Sequence, residues 1–239
     1  MINVAACMSL GRIAFTDTMF CAKNVFDTLG IPFKWAAGGF WEQSLASMWY
    51  DRIKEGYEWV LVLDHDTLFD KDDVERLCSL VNTHPEIDAL CGTQIKRGCN
   101  EALMVPYDFT PAENPTPVPQ DSGPLTRLRT GHFGLTLLRL EAIHNLPRPW
   151  FRTDTGPKDR MDADVYFWQN WDRAGHTLYQ ANDVLLGHIQ MVVTWPTRDR
   201  GIVNQFIGQW NEKGKPEAVL AVLRPQNIST PHQQEATAP

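Results

Sequence analysis

A continuous apolar segment, Trp59-Val60-Leu61-Val62-Leu63, constrains the fold of this 239-residue chain more than any other feature. The segment is apolar at every position instead of every second one, which is typical of a central parallel strand covered on both faces. In open α/β sheets, ligands bind beyond the carboxyl ends of the strands. The residues that follow Leu63 are therefore predicted to lie at the ligand-binding edge of a sheet.

Strand-like and helical segments alternate through the first part of the chain. Apolar spacing predicts helices over 16–29 and 42–55, each ended by a glycine, and a third helix that Asp70 caps and His84-Pro85 ends. Strands are predicted over 2–8, 31–36, 59–63 and 87–91. This order predicts an α/β fold with an open, mostly parallel central sheet and helices on both faces.

The second part of the chain begins with six prolines between residues 106 and 124, which exclude a helix or central strand and predict a long surface loop. Strands are predicted over 125–129, 134–140, 177–180 and 184–189, and helices over 141–145, 162–174 and 202–210. These elements would complete the same core. The sequence thus predicts one domain over residues 1–226 that contains the proline-rich loop, and a disordered tail over 227–239.

Charge, cysteine content and hydropathy exclude several classes of protein. The chain has 22 Lys and Arg against 29 Asp and Glu, a net charge of −7, which argues against broad electrostatic binding to nucleic acid. Its five cysteines form an odd set without CxxC spacing, which favours free thiols in a reducing compartment. No apolar stretch reaches the roughly 18–20 residues of a membrane span, and no signal peptide is recognised. A cytoplasmic protein is predicted.

Two carboxylates one residue apart, Asp64 and Asp66, follow the apolar strand. Carboxylate oxygens are hard ligands that suit Mg²⁺ or Mn²⁺, ions that keep several waters and bridge to substrate phosphates. A solvated turn before a helix also favours aspartate, and Asp-X-Asp by itself is a common sequence. The buried strand, which directs its end at the ligand edge of the sheet, favours a metal site.

Two further segments carry candidate site residues. Asp162 is predicted to cap the following helix, and Asp164 lies in its first turn, where an ionised carboxylate serves either as a general base or as an ordinary helix-terminal acid. His188 ends an apolar segment, where it either completes a metal site or forms a buried, hydrogen-bonded imidazole.

Taken together and in this order, four segments resemble the GT-A class of nucleotide-sugar glycosyltransferases, especially the small family-2-like members of bacteria and phages. They are WVLVLDHD at 59–66, TGHFGLTLLR at 130–139, DADVYF at 162–167 and LGHI at 186–189. The resemblance implies a single GT-A-like domain with a Rossmann-like nucleotide-binding half. It further implies that Asp66 ligates a divalent metal, Mn²⁺ or Mg²⁺, that Asp64 contacts the donor ribose or the metal through water, and that His188 is the distal metal ligand.

The resemblance also assigns catalytic and binding roles. Asp164 matches the acid of the family's Glu-Asp motif, the base of inverting members, whereas Ala163 stands where the family has glutamate. Gly131 and its neighbours would form the floor under the transferred sugar and the acceptor. His65 and His132 lie inside the matched segments and are assigned to donor or acceptor binding.

Two residues near the end of the chain are candidate ligand contacts. Trp195 is placed to stack on a sugar or base. Arg198 lies either on a loop that closes over the donor diphosphate or on a solvated basic turn.

The predicted function is metal-dependent transfer of a sugar from a nucleotide-sugar donor, preferably a UDP-sugar, to a hydroxyl acceptor. The acceptor stays open between a glycan, a protein, a lipid-linked intermediate and a hydroxymethylated base in phage-type DNA. The cell compartment implied is the cytoplasm of a bacterium or of a phage-infected host. Two alternatives are a nucleotidyltransferase built on the same sheet and a nucleotide-sugar-binding module without catalysis.

Overall fold

The computed structural model describes residues 2–11, 14–95, 105–106, 123–154, 161–197 and 200–220. Most of the predicted proline-rich loop and all of the predicted tail lie outside these residues. The chain divides into two compact units, residues 1–189 and 190–239. The prediction of one domain over 1–226 stays a prediction.

The first unit contains nine strands and five helices among its described residues. The strands are β1 (Val4–Leu10), β2 (Phe33–Ala37), β3 (Trp59–Leu63), β4 (Thr67–Leu68), β5 (Ala89–Gln94), β6 (Val105–Pro106), β7 (Leu125–Thr130), β8 (Leu135–Arg139) and β9 (Leu178–His188). The helices are α1 (Thr16–Leu29), α2 (Trp41–Lys54), α3 (Lys71–Thr83), α4 (Leu140–Asn145) and α5 (Ala163–Arg173).

The strands form one mixed sheet in the order β2-β1-β3-β8-β5-β9-β7-β6, with β4 paired to β9. β1 runs parallel to β2 and β3, and β5 runs parallel to β9. Because β8 is antiparallel to both β3 and β5, those two strands also point in the same direction. The carboxyl ends of β1, β2, β3, β5 and β9 therefore meet at one edge, and the predicted mostly parallel sheet is confirmed.

Helices cover both faces of the sheet, as predicted. Leu61 and Leu63 of β3 pack on one face in a hydrophobic cluster with residues of α1 and α3. Val60 and Val62, which alternate with them, pack on the other face with residues of α2, α4 and α5. All five residues of β3 are buried, which explains why the strand is apolar at every position.

Several helix ends match their sequence signals. Gly30, with a φ of 64°, ends α1 in the left-handed region that glycine adopts without a steric penalty. The Asp70 side chain accepts hydrogen bonds from the backbone N–H groups of Asp72 and Asp73, and Asp73 completes a capping box. Asp162 precedes α5 as predicted, but its side chain makes no capping hydrogen bond.

Two predicted element assignments are wrong. The segments 177–180 and 184–189 are one strand, β9, because the polar pair Asn182 and Asp183 between them is accommodated at a register shift against β5. The predicted helix over 202–210 is a strand followed by a helix.

The second unit contains β10 (Val192–Pro196), β11 (Ile202–Phe206), α6 (Ile207–Lys213) and α7 (Glu217–Leu220) among its described residues. β10 and β11 form an antiparallel hairpin. Thus the apolar residues of 202–206 pair with another strand instead of forming a helical face.

Two negative findings concern the described residues alone. None of their helices combines the length and apolarity needed to cross a bilayer. The cysteines among them, Cys7, Cys21, Cys78 and Cys91, are free thiols, as the sequence predicts. Cys99 lies outside the described residues.

Candidate active site

The short strand β4 brings Asp66 and His188 together although 122 residues separate them. Thr67 pairs with His188 in an antiparallel register, and the backbone N–H of Ile189 donates to the Asp66 carbonyl oxygen at 2.7 Å. Asp66 Oδ2 consequently lies 3.2 Å from His188 Nε2. The two side chains, 4% and 8% exposed, form a buried pair at the carboxyl edge of the sheet.

The hydrogen bonds of His188 fix which ring nitrogen faces the carboxylate. Nδ1 lies 2.7 Å from the backbone carbonyl oxygen of Ile95, which only accepts, so Nδ1 carries a proton and donates it. In the neutral imidazole, Nε2 then directs a lone pair towards Asp66 Oδ2. Two acceptors at this distance need a positive charge between them, either a proton or a metal ion. A backbone carbonyl that orients the imidazole in this way is the usual support for a metal-ligating histidine.

The donor set of Asp66 and His188 fits a divalent ion that also binds substrate phosphates. Two neighbouring ligands on an octahedral ion with bonds of about 2.1 Å lie about 3.0 Å apart, close to the observed 3.2 Å. Within the described residues, no group of three His, Cys, Asp or Glu side chains is arranged to hold a metal. Phosphate-binding ions such as Mg²⁺ use one or two carboxylates, with waters and phosphate oxygens completing the shell, and the imidazole of His188 favours Mn²⁺ over the harder Mg²⁺. The described pair fits that pattern, whereas a closed structural metal site would need more ligands.

Asp64 is held beside this pair by the loop that enters β8. Its backbone N–H donates to the Gly134 carbonyl oxygen at 3.2 Å, and its own carbonyl oxygen accepts from Thr67 at 3.4 Å. A contact of Asp64 with the donor, or with the metal through water, stays a prediction.

Gly134 is the residue at which this loop has least space. A Cβ atom there would lie 2.6 Å from Gln94 Oε1 and 2.7 Å from His132 Nδ1. Gln94 is buried and donates to the Thr67 hydroxyl at 3.0 Å, so its amide has little room to move away. The glycine thus permits the close packing of β5 and the loop beneath Asp64.

Replacing Gly134 with alanine is expected to lower the free energy of unfolding by about 1–3 kcal/mol, because the buried neighbours must shift. Urea denaturation measures this change. Gly39→Ala is the matched control, because a Cβ at Gly39 meets no atom within 4 Å, and its effect should stay within about 0.5 kcal/mol. Equal effects of the two substitutions would contradict the packing argument.

His132 and Gly131 precede Gly134 in the same loop and pack against the core. His132 Nε2 donates to the Gly92 carbonyl oxygen at 2.9 Å, and Nδ1 accepts from the Gly134 backbone at 3.0 Å. Burial lowers the pKa of His132 to about 4, so the ring is neutral and both nitrogens are occupied. A Cβ on Gly131 would meet the core side chains of Leu178 and Trp168. The positions of both residues are explained by packing, and their predicted binding roles stay predictions.

The remaining predicted binding residues lie in different places. The half-buried ring of His65 stacks on Phe15, with centroids 6.2 Å apart and planes at 9°. In the second unit, Trp195 packs on Trp210 at 5.4 Å and donates its indole N–H to Gln205 at 3.0 Å. Arg198 lies outside the described residues.

Asp164 lies half-buried in the first turn of α5, where Oδ1 accepts from the Val165 backbone N–H at 2.8 Å. Burial raises the pKa of this carboxyl above its ordinary value, and the neighbouring charge of Asp162 adds to the rise. A raised pKa makes a carboxylate a stronger base, and the group is still ionised above that pKa.

Helix α5 packs on the same loop that holds Asp64. Trp168 of α5 stacks on Phe133 with ring centroids 5.3 Å apart, and Phe133 directly precedes Gly134. Asp164 thus belongs to a helix that packs against the loop holding Asp64.

Two supporting groups were missed in the sequence. One is Gln94, whose side-chain amide is buried. A polar residue at the end of an apolar strand is visible in the sequence and could have indicated it. The other is the backbone carbonyl of Ile95, which leaves no sequence signature.

No protein-family model and no curated protein matches the chain. Among solved structures, A197 from STIV is similar with a TM-score of 0.56 and 14% sequence identity, over 86% of this chain and 94% of that one. GalNAc-T7, crystallised with UDP, GalNAc and Mn²⁺, is similar with a TM-score of 0.51 and 10% identity, over 79% of this chain. The match covers 43% of the GalNAc-T7 chain, so this protein spans less than half of that length. At such identities the likeness shows the fold alone, which is α/β and GT-A-like.

Proposed function

We propose that this protein is a divalent-metal-dependent glycosyltransferase of the small family-2-like type, which transfers a sugar from a UDP-sugar to a hydroxyl acceptor. The observation that carries the proposal is the buried contact between Asp66 and His188. Three observations support the proposal. The hydrogen bond to Ile95 fixes the tautomer of His188, and the contact lies at the ligand edge of the sheet. The fold is similar to that of GalNAc-T7, which was crystallised with UDP, GalNAc and Mn²⁺.

The proposed metal-binding groups are Asp66 Oδ2 and His188 Nε2, with Asp64 contacting the donor or a metal-bound water. When bound, a divalent ion neutralises the negative charge that develops on the diphosphate leaving group. The Ile95 carbonyl and the β4–β9 pairing hold the two protein ligands in place before the donor arrives. This preorganisation lowers the cost of assembling the site.

Asp164 is the proposed general base. In the transfer step the acceptor oxygen bonds to the anomeric carbon of the sugar, and the bond from that carbon to the diphosphate breaks. The hydroxyl proton moves to the Asp164 carboxylate, and the nucleoside diphosphate leaves with the bonding electrons. Arg198 and Trp195 are proposed donor contacts.

Incubation with Mn²⁺ and individual sugar nucleotides, followed by mass spectrometry of the nucleotide products, tests this function. We expect release of UDP from at least one UDP-sugar, by transfer or by slow hydrolysis, and loss of that release when the metal is chelated. A second incubation, with UTP and a sugar phosphate, tests the nucleotidyltransferase alternative. Formation of pyrophosphate there would show a nucleotidyltransferase instead. Binding of UDP-sugars with no turnover of any donor or acceptor would favour a binding module.

A further inference from the structure

A cleft of about 670 Å³ opens between α2 and the segment that joins α4 to α5. Its volume is within the about 300–1,000 Å³ typical of small-molecule sites. One wall is the exposed face of α2, where Gln43, Ser47 and Tyr50 recur at helical spacing. The opposite wall is residues 148–153.

The wall opposite α2 carries two exposed arginines, Arg148 and Arg152. The Arg148 guanidinium lies 4.6 Å from the ring centroid of Trp150 and 5.4 Å from that of Tyr50, so aromatic rings hold it at the cleft. Within the described part of the chain, neither arginine forms an ion pair with a carboxylate. A guanidinium presents a planar fork of donors that matches carboxylate or phosphate oxygens.

Two sets of contacts link the wall of the cleft to elements that carry the candidate active site. Residue 154, directly after the cleft wall, forms two backbone hydrogen bonds with Met161, at 3.0 and 3.1 Å. Met161 lies two residues before α5, which carries Asp164. The Phe151 ring of the same wall lies 6.1 Å from that of Phe133, in the loop that holds Asp64.

The other cleft groups suit a sugar. Gln43, Ser47 and Tyr50 offer side-chain donors and acceptors for sugar hydroxyl groups, and the carboxylate of Glu42, in the same lining, accepts hydrogen bonds from such groups. We propose that this cleft binds the acceptor, and that the acceptor is an anionic carbohydrate whose carboxylate or phosphate is held by Arg148 and Arg152. The acceptor role rests on the proposed transferase function.

Saturation-transfer NMR on the full chain with three small probes tests this proposal. The probes are methyl glucuronide, glucose 6-phosphate and the neutral methyl glucoside. We expect at least one anionic probe to bind more tightly than the neutral one. Which of the two anions binds distinguishes a carboxylate acceptor from a phosphate acceptor.

Two variants locate the binding. Ser47→Trp, which fills the cleft from the exposed face of α2, and Arg152→Ala, which removes one guanidinium, should each weaken the anionic probe about tenfold. The matched control is Ser79→Trp, at an exposed position of α3 away from the cleft, and it should bind like the wild type. Thermal melting checks that each variant is folded.

The proposal is overturned if no anionic probe binds the wild type, if the neutral probe binds equally well, or if folded Ser47→Trp binds as tightly as the wild type. Calorimetry of UDP with Mn²⁺ on the wild type separates this result from the proposed function. UDP binding without anionic-sugar binding removes the cleft proposal alone. Anionic-sugar binding at the cleft without UDP binding would support the cleft as an anionic-sugar site and contradict the proposed transferase function.

Discussion

Replacing Asp66 with alanine is expected to abolish Mn²⁺-dependent binding of UDP. The loss should exceed the about 10–100-fold that removal of a residue supporting a metal ligand costs, because Asp66 is a proposed ligand itself. Its carboxylate is buried and faces His188 Nε2. Among the described residues, no group of three His, Cys, Asp or Glu side chains is arranged to bind the metal in its place. Calorimetric titration of UDP in the presence of Mn²⁺ measures the effect.

Two further variants make the Asp66 result specific. Asp66→Asn keeps the side-chain volume and removes the charge, so it should also lose metal-dependent binding while leaving the core filled. Asp72→Ala, at an exposed carboxylate of α3, should bind UDP like the wild type. Unchanged UDP affinity in folded Asp66→Ala would refute the assignment of Asp66 as a ligand.

Replacing Asp164 with asparagine is expected to lower turnover by about 10²–10⁴-fold while leaving the affinity for UDP unchanged. The amide keeps the shape of the side chain but cannot accept a proton from the acceptor. Asp162→Asn, two residues away, tests separately whether Asp162 substitutes for the partner glutamate that Ala163 replaces. Transfer assays with the donor identified by mass spectrometry measure both variants; near-normal transfer by Asp164→Asn would remove Asp164 as the base.

The pH dependence of turnover gives a second test of Asp164. A base must be ionised to accept a proton, so turnover should fall as the pH drops through the pKa of Asp164. Because burial raises that pKa, the fall should begin at a higher pH than for an exposed aspartate. An acid limb at the ordinary aspartate value would contradict the buried environment.

Much of the fold could be predicted from the pattern of apolar residues alone. The continuous apolar segment 59–63 is β3, and Asp66 lies at the ligand edge because a strand covered on both faces must direct its end there. His188 was predicted beside Asp66 only through the resemblance to a family. The pairing of β4 with β9 provides the physical reason for that contact.

The features that sequence analysis missed depend on tertiary contacts. β9 continues through Asn182 and Asp183 because Asn182 donates to the Gly123 carbonyl oxygen, a partner far away in the chain. Gly131 and His132 lie inside a matched segment, yet Gly131 faces core side chains and His132 bonds to backbone groups. A motif identifies a loop near a site, and packing decides which of its residues can face a ligand.

The central claim is that one divalent ion joins Asp66 to His188. Anomalous diffraction from a crystal grown with UDP and Mn²⁺ tests it most directly. We predict an Mn²⁺ peak within coordination distance, about 2.0–2.6 Å, of both Asp66 Oδ2 and His188 Nε2, with diphosphate oxygens completing the shell. Bound UDP with its Mn²⁺ elsewhere, and these two side chains still joined only by a proton, would contradict the account.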